Sequence, residues 1–283
     1  MSPTHPLPDA LRLVDVVEHV YVVAYTEDTR PLEAALQSEG FESTVIRPEY
    51  TEAEKTYSQT VRVLLSHTNA WRRCAEHGGL TMVVEADFVP VQGLASLPLP
   101  FEAALSATAW GWLYTQGPVL YEMVAERYGR GHSASPVATL FGPETAQILL
   151  EFAAEEFEAN DPHEYSLWDT RIGAYAKRRG ARSYLGYRNY GEHGGLANPE
   201  HRRAGLTPTH RADVLWGRLL FLPPYARGSR ATFARTRLWG KAWGIGRLAL
   251  GRYLQMATIR RERGWRHKWN LLRFSLFRLL WPY

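Results

Sequence analysis

Apolar positions in the first ninety residues alternate between strand-like and helix-like patterns. Two β-branched and aromatic runs, at 19–27 and 42–48, predict short strands, and the apolar run at 80–91 predicts a buried third strand. Residues 30–40 predict a helix, with a proline in its first turn and a glycine at its end. Apolar residues at helical spacing predict a second helix over 61–79. Strands that alternate with helices are typical of a parallel sheet covered by helices, so the sequence predicts an α/β fold.

The remaining pattern is less regular. Residues 106–129 are aromatic and interrupted by glycines, which is more typical of a pocket wall or flexible loop than of a regular element. Residues 135–157 predict a strand, a Gly-Pro turn and an amphipathic helix, and 164–180 predict another helix. Residues 181–205 predict a strand that leads into a glycine-rich polar loop.

Composition places the chain among globular proteins of a reducing compartment. Of its 283 residues 45% are hydrophobic and 22% charged, which favours a substantial core. The single cysteine, Cys74, excludes an internal disulfide framework. Neither a secretory signal pattern nor a run of about 18 apolar residues is visible, so we expect a cytoplasmic protein.

Charge is distributed unevenly along the chain. From residue 227 to the end there are 14 lysines and arginines and one acid, Glu262. The preceding part carries the other 19 basic residues and 28 acidic ones, so an acidic body precedes a strongly basic tail. This asymmetry predicts separate roles for the two parts.

Two carboxylates, Glu85 and Asp87, end the predicted third strand. Ligands of open α/β sheets bind beyond the carboxyl ends of the strands, and residues two apart in an extended chain project to the same side. Carboxylates are the natural ligands of Mn²⁺ or Mg²⁺. We expect Asp87 to bind a metal ion directly and Glu85 to hold a metal-bound water. The alternative is a pair of solvated acids at a strand end.

Three further polar residues are candidates for a ligand site. His193 lies among glycines in the sequence GEHGG, where the backbone can approach a phosphate closely. Arg188 lies a few residues earlier, and Thr26 follows the first strand. The alternative for His193 is a loop histidine without a ligand.

Several segments together resemble glycosyltransferase family 25, the lipopolysaccharide-type sugar transferases. The family has a Ser-His pair at the start of a helix with a Trp one turn later, then an apolar strand that ends in Glu-Asp-Asp. The acidic motif is Glu85-Ala86-Asp87 here, with alanine in place of the middle acid. The resemblance covers roughly residues 18–200, and its other matching elements are Ser66, His67 and Trp71, the segment 135–152, and Trp168-Asp169.

The resemblance implies a Rossmann-like nucleotide-sugar transferase fold of the GT-A type, with a glycosyltransferase domain at 18–210. A short N-terminal segment (1–17) would precede this domain, and a basic, aromatic-rich helical region (211–283) would follow it. The resemblance further implies a metal-dependent, inverting hexosyltransferase that uses a UDP-sugar and acts on a cell-surface glycan or lipopolysaccharide precursor. Thr26, Ser66 and His67 would lie near the nucleotide, with Thr26 at the base and ribose. Glu85 would hold the ribose or a metal-bound water, Arg188 could contact the diphosphate, and His193 would complete the metal site. For His67, a core histidine with a satisfied hydrogen bond is the alternative.

Inversion by direct displacement requires a carboxylate that accepts the proton of the acceptor hydroxyl. Asp169 is our candidate for this base, with Glu192 and Glu164 as rivals. An acid that stabilises a helix N-terminus is the alternative interpretation of Asp169. The neighbouring Trp168 could stack on a sugar ring.

The tail predicts a basic helix with an aromatic and aliphatic face. Trp265, Trp269, Leu272, Leu276 and Leu279 share one face, with arginines and a lysine on the flanks and opposite side. Such a helix suits an anionic membrane surface, which would place the protein on the inner face of the cytoplasmic membrane beside a lipid-linked acceptor. Packing of this face on the enzyme's own core is the alternative. Nucleic acid is disfavoured, because no recognition motif accompanies the charge.

Two other functions are compatible with these residues. A metal-dependent phosphohydrolase could use Glu85, Asp87 and His193, although such enzymes usually gather more Asp and His residues. A degenerate transferase that only binds membranes or partner proteins would explain the alanine in the acidic motif.

Overall fold

The computed structural model describes residues 11–116, 119–125, 128–196, 210–249 and 264–280, which form seven α-helices and ten β-strands. The helices are α1 (Leu13–Val16), α2 (Arg30–Ser38), α3 (Gln59–His77), α4 (Pro143–Ala159), α5 (Trp168–Arg178), α6 (Arg230–Ala249) and α7 (Trp265–Leu280). The strands are β1 (His19–Val23), β2 (Ser43–Ile46), β3 (Thr81–Glu85), β4 (Phe88–Pro90), β5 (Ala109–Trp112), β6 (Val119–Ala125), β7 (Tyr128–His132), β8 (Ala138–Phe141), β9 (Arg182–Gly186) and β10 (Gly191–His193).

Eight strands form one sheet in the order β2-β1-β3-β8-β5-β9-β7-β6. β1 runs parallel to β2 and β3, and β5 runs parallel to β9. β8 is antiparallel to both β3 and β5, and β7 is antiparallel to β9 and β6. Six strands therefore point one way and two the other. The predicted α/β class is confirmed, but the sheet is mixed and not purely parallel.

Helices cover one face of the sheet, and helices with loop segments cover the other. Along β1, Tyr21 and Val23 face a core shared with α3, α4 and α5. Val20 and Val22 face a second core, which includes residues of α1, α2 and the segment that follows β4. This alternation is what a central strand buried on both faces requires. The sheet is thus the middle of three layers, and its carboxyl edge remains available for a site.

The prediction of a loop or pocket wall at 106–129 was wrong. This segment contains β5, a central strand with four buried residues, and most of the β6–β7 hairpin. A central strand needs no polar face, so its sequence shows no alternation. Gly111 interrupts the run because Phe101 and Pro100 pack against it: a Cβ at this position would lie 2.9 Å from each.

The predicted third strand is divided in two. β3 ends at Glu85, Ala86 and Asp87 form a turn, and the chain continues as β4, which pairs with β10 in a two-stranded antiparallel ribbon. The expectation that Glu85 and Asp87 share one extended segment was therefore wrong. The turn nevertheless brings both side chains to the carboxyl edge of the sheet.

Parts of both terminal regions pack on the body. Residues 1–10 of the predicted N-terminal segment lie outside the described residues, whereas Leu13 of α1 is fully buried. In the predicted C-terminal region, the amide of Trp216 donates to the carbonyl of Asn189, and that of Leu220 to Pro90.

The last two helices are tied to the body by ion pairs. Arg237 of α6 binds the fully buried Glu192, and Arg278 of α7 binds Asp213 at 2.9 Å. Within the described residues, no helix combines the length and the apolar character that a membrane span requires. The side chains of Leu272 and Leu279, part of the predicted apolar face of α7, lie outside the described residues.

Candidate metal centre and its surroundings

Glu85, Asp87 and His193 converge at the carboxyl edge of the sheet. Each offers one ligand atom, and these atoms lie within 4.8 Å of one another. The β4–β10 ribbon brings the histidine to this point, because His193 pairs with Phe88, the neighbour of Asp87. The amide of Gly194 also donates to the carbonyl of Asp87 at 2.7 Å. Residues more than 100 positions apart in sequence thus form one cluster.

The closest contact in this cluster joins His193 Nε2 to Asp87 Oδ2 at 3.0 Å. The other ring nitrogen, Nδ1, lies 3.2 Å from the carbonyl of His210, which can only accept a hydrogen bond. Nδ1 therefore carries a proton, and a neutral His193 would point the Nε2 lone pair at a carboxylate. A positive charge between the two atoms, either a proton or a metal ion, resolves this conflict.

Electrostatics favour positive charge at this position. Burial alone would lower the pKa of His193, but the charge and hydrogen bond of Asp87 outweigh it and raise that pKa to about 9. Burial would likewise raise the pKa of Asp87, yet the attraction of His193 leaves it below its usual value. The site is thus built to stabilise a cation.

Two observations show that the residues present fit a hard divalent ion. Asp87 Oδ1 is buried and has no hydrogen-bond partner among the described residues, an arrangement that leaves an oxygen available to a metal. Gly195 faces the same space: a Cβ there would overlap Asp87 Oδ2 and lie 3.1 Å from His193 Nε2. Two carboxylates and one imidazole suit Mn²⁺ or Mg²⁺ completed by other oxygen ligands.

His67 holds Glu85 in place. Its Nε2 lies 3.1 Å from Glu85 Oε1, and the imidazole is fully buried. The ring centroid lies 5.7 Å from that of Trp71 and 5.6 Å from that of Trp168. The structure thus places His67 in the core, where it orients a residue of the site.

The edge next to β1 carries two of the other sequence candidates. Thr26 is exposed in the bend after β1, whereas Ser66 is buried. Ser66 Oγ donates to the carbonyl of Arg62 and lies 2.9 Å from the hydroxyl of Tyr50. Ser66 therefore supports Tyr50, and its hydroxyl is already engaged.

Sequence reasoning missed the aromatic and basic residues near Thr26. The ring of Tyr50 lies 5.3 Å from that of the half-exposed Tyr25. Arg62 lies 6.0 Å from the centre of the Tyr50 ring, and no described residue forms a hydrogen bond with its buried Nε. An exposed ring beside an incompletely paired guanidinium could contact a base and a phosphate. Tyr25 at the strand end was the only sequence signal.

The predicted base, Asp169, and the adjacent Trp168 differ in their surroundings. Asp169 is half-buried in the first turn of α5, at the helix N-terminus. Trp168 is buried, and its Nε1 donates to the carbonyl of Thr60 at 2.9 Å. The expectation that Trp168 stacks on a sugar was therefore wrong. Glu192 is unsuited as a base because its buried carboxylate is neutralised by Arg237, whereas Glu164 is exposed.

Arg188 is buried in the turn after β9, with its guanidinium 5.5 Å from the centre of the Tyr187 ring. β9 points in the same direction as β3, so Arg188 lies on the same edge of the sheet as the acids. Two strands, β8 and β5, separate them.

The surroundings of His193 contain residues that sequence reasoning assigned to other regions. Arg211 donates to the carbonyls of His193 and Gly195 at 3.0 and 2.8 Å, and its guanidinium lies 4.1 Å from the centre of the Tyr225 ring. Tyr114 packs edge-on against His193, and burial raises the pKa of its hydroxyl well above the usual value. Arg211 was missed because the segment that carries it was assigned to the tail.

Comparison with known proteins finds similarity among solved structures. No protein-family model matches the chain, and no curated protein matches it, so membership in glycosyltransferase family 25 is not supported. A solved structure described as a glycosyltransferase involved in the glycosylation of the major capsid of PBCV-1 aligns with a TM-score of 0.41 and 9% identity. The alignment covers 59% of this chain and 80% of the other. The activity of this chain therefore has to be inferred from its own residues.

Proposed function

We propose that this protein is a metal-dependent glycosyltransferase that transfers a sugar from a nucleotide-sugar, with UDP as the expected nucleotide. The convergence of Glu85, Asp87 and His193 at the carboxyl edge of an α/β sheet is the observation that carries this proposal. The uncoordinated Oδ1 of Asp87 and the gap at Gly195 add to it, because both leave room for an ion.

The donor would lie along the edge between β1 and the metal centre. Tyr25 and Thr26 are exposed there and would contact the base and ribose, and Arg62 would contact the diphosphate. Asp87, Glu85 and His193 would hold Mn²⁺ or Mg²⁺, which supplies positive charge to the leaving diphosphate. His67 would fix the orientation of Glu85.

The reaction would proceed with inversion at the anomeric carbon. The acceptor oxygen forms the new bond to this carbon as the bond to the diphosphate oxygen breaks, and the acceptor proton passes to a carboxylate. Asp169 remains our candidate for that carboxylate. An Asp169→Asn variant should lose turnover but keep metal and UDP binding. NMR of the wild-type product should show the anomeric configuration opposite to that of the donor.

The acceptor would be a cell-surface glycan or lipopolysaccharide precursor presented at a membrane. The tail supports this, because Trp239, Trp243, Trp265 and Trp269 are 43–80% exposed on its two helices. Tryptophans among many cations are typical of a surface that binds the interface of an anionic bilayer.

Measurement of UDP release from UDP-sugars in Mn²⁺, with and without candidate acceptors, tests the function. We expect release in the wild type and a loss of more than about 100-fold in Asp87→Asn, since even residues that only support metal ligands are worth about 10–100-fold. Asp15→Asn, at an exposed acid paired with Arg12, is the matched control and should be unaffected.

The same assay separates the competing functions. Release of inorganic phosphate in place of UDP would identify a phosphohydrolase. The absence of any nucleotide turnover across UDP-sugars and acceptors, in protein that is folded and binds Mn²⁺, would identify a non-catalytic binding protein and overturn the proposal.

A further inference from the structure

A cavity of about 940 Å³ lies between α6 and the turn that precedes it. Among the described residues, three arginines line it: Arg211, Arg227 and Arg235. Its volume is in the range of small-molecule sites. No acid is among its described lining residues, so the cavity carries a concentrated positive charge.

Two of these arginines have charges that no described residue neutralises. The side chains of Arg227 and Arg235 are exposed, and within the described residues neither forms an ion pair. Arg211 is 8% exposed, its described acceptors are all backbone carbonyls, and its Nε has no hydrogen-bond partner. Guanidinium groups in this state are suited to phosphate oxygens.

The same cavity has an apolar rim. Leu238 and Trp239 line it and are 73% and 64% exposed. Trp243, one turn along α6, stacks with Trp239 at a centroid distance of 6.1 Å. Positive charge inside and exposed apolar groups at the rim together match an amphiphile with an anionic head.

The cavity adjoins the metal centre. Arg211 lines the cavity and donates to the carbonyls of His193 and Gly195, the residues that border the candidate ion. Tyr25 and Arg62, the proposed nucleotide contacts, follow β1 and belong to α3, respectively, and neither is among the described residues that line the cavity. A polar nucleotide would also leave the apolar rim of the cavity uncovered, which argues against the donor as its occupant.

We propose that this cavity binds the phosphate group of a lipid-linked acceptor, with the hydrocarbon chain leaving over Leu238 and Trp239. This inference rests on the proposed transferase function, and it names the chemical class of the acceptor: a phosphorylated amphiphile. The arginines hold the phosphate, and the sugar attached to it faces the metal centre.

Direct binding tests the site without catalysis. Calorimetry in metal-free buffer would use dihexanoyl phosphatidic acid below its micelle concentration, with inorganic pyrophosphate, UDP and dihexanoyl phosphatidylcholine for comparison. We expect the double variant Arg227→Gln/Arg235→Gln to bind phosphatidic acid at least about tenfold more weakly. The matched control Arg230→Gln/Lys241→Gln removes the same charge from exposed positions that do not line the cavity, and should bind normally.

The apolar rim is tested with Trp239→Ser. This variant should weaken the binding of phosphatidic acid and leave that of pyrophosphate unchanged, whereas Leu11→Ser, at an exposed apolar residue of the body, should alter neither. Equal affinities of the cavity and control variants for phosphatidic acid would overturn the proposal. Tighter binding of pyrophosphate than of phosphatidic acid would overturn it as well, and so would loss of UDP binding in the cavity variant when the UDP titration is repeated with Mn²⁺.

Failure of this inference and failure of the transferase function give different results. If the cavity is not an acceptor site, UDP release persists while phosphatidic acid binding is unaffected by Arg227→Gln/Arg235→Gln. If the protein is not a transferase, phosphatidic acid still binds through these arginines and no sugar donor is turned over.

Discussion

The buried imidazole of His67 donates to Glu85 Oε1 across 3.1 Å, and two tryptophans enclose the ring. Through His67, helix α3 thus fixes the orientation of the Glu85 carboxylate at the end of β3. Replacement His67→Phe keeps an aromatic ring between the tryptophans and removes the donor. We expect Mn²⁺ affinity, measured by titration calorimetry, to fall about 10–100-fold.

His67→Gln retains an N–H donor and should recover most of this affinity, which a purely structural role of the ring would not explain. His163→Phe, at an exposed histidine of the loop before α5, is the control. Wild-type Mn²⁺ affinity in folded His67→Phe would show that Glu85 needs no support from α3.

Gly195 is expected to tolerate no side chain. A Cβ there would overlap Asp87 Oδ2, so Gly195→Ala should abolish the Mn²⁺-dependent rise in melting temperature. Gly217→Ala is the matched control, because the nearest atom to its Cβ would be 3.8 Å away. If Gly195→Ala still showed the full thermal shift, the metal would have to bind elsewhere.

The affinity for Mn²⁺ should depend on pH. Since the pKa of His193 is raised from 6.5 to about 9, an ion must displace a proton from Nε2 over this range. Affinity should therefore rise about tenfold per pH unit and level off above the raised pKa. In Asp87→Asn the histidine loses its partner, and the pH dependence of any residual binding should flatten.

Without metal, the same pair should make stability depend on pH. A raised pKa in the folded state stabilises the fold fully below pH 6.5, and this contribution is lost as pH rises through about 9. Urea unfolding in EDTA should show this decline in the wild type and not in His193→Gln. An unfolding free energy that stays constant over this range would contradict the ion pair.

The pair between Glu192 and Arg237 should be a large contributor to stability. Arg237→Met leaves a fully buried carboxylate unpaired and should lower the free energy of unfolding by about 3–5 kcal/mol, measured in urea. Arg130→Met, which breaks an exposed pair with Glu122, should cost less than about 1 kcal/mol.

The double variant Glu192→Gln/Arg237→Met removes both charges and should recover part of this loss. A wild-type stability for Arg237→Met alone would show that α6 is not an integral part of the fold.

Binding to membranes can be tested without deletion of the tail, which would also remove Arg237 and Arg278. Flotation should show binding to anionic liposomes, weaker binding at high salt, and little binding to neutral ones. Trp265→Ser/Trp269→Ser should weaken it by more than about tenfold, because each exposed indole contributes roughly 1.5–3 kcal/mol when buried in the interface.

Leu11→Ser/Leu167→Ser removes exposed apolar groups from the body and is the control. Equal flotation of the tryptophan variant and this control would show that α7 does not contact lipid.

The elements with regular periodicity were predictable from sequence. The strand His19–Val23 and the helix Gln59–His77 appear where their patterns place them, and Gly78 ends that helix in the left-handed conformation. The strand Ala109–Trp112 was missed because a strand buried on both faces carries no alternation. Local patterns identify amphipathic elements better than central ones.

For the site, the sequence predicted which residues take part better than how the fold brings them together. Glu85, Asp87 and His193 were candidates from the start, and the structure brings them together. The reason for their convergence, a ribbon of three-residue strands, is invisible locally, because such strands are defined by their partner. Arg211 was missed for a similar reason: its contacts are to backbone carbonyls distant in sequence.

The two buried ion pairs also bear on how the protein is made. Glu192 and Asp213 are synthesised well before their partners Arg237 and Arg278, so a nascent chain exposes two acids whose countercharges are still inside the ribosome. Only translation to the last helix supplies both cations. A chain cut short by a premature stop codon or a protease would keep Glu85 and Asp87. It would lack the arginines that neutralise Glu192, next to His193, and Asp213. Such a fragment would be a substrate for cellular quality control.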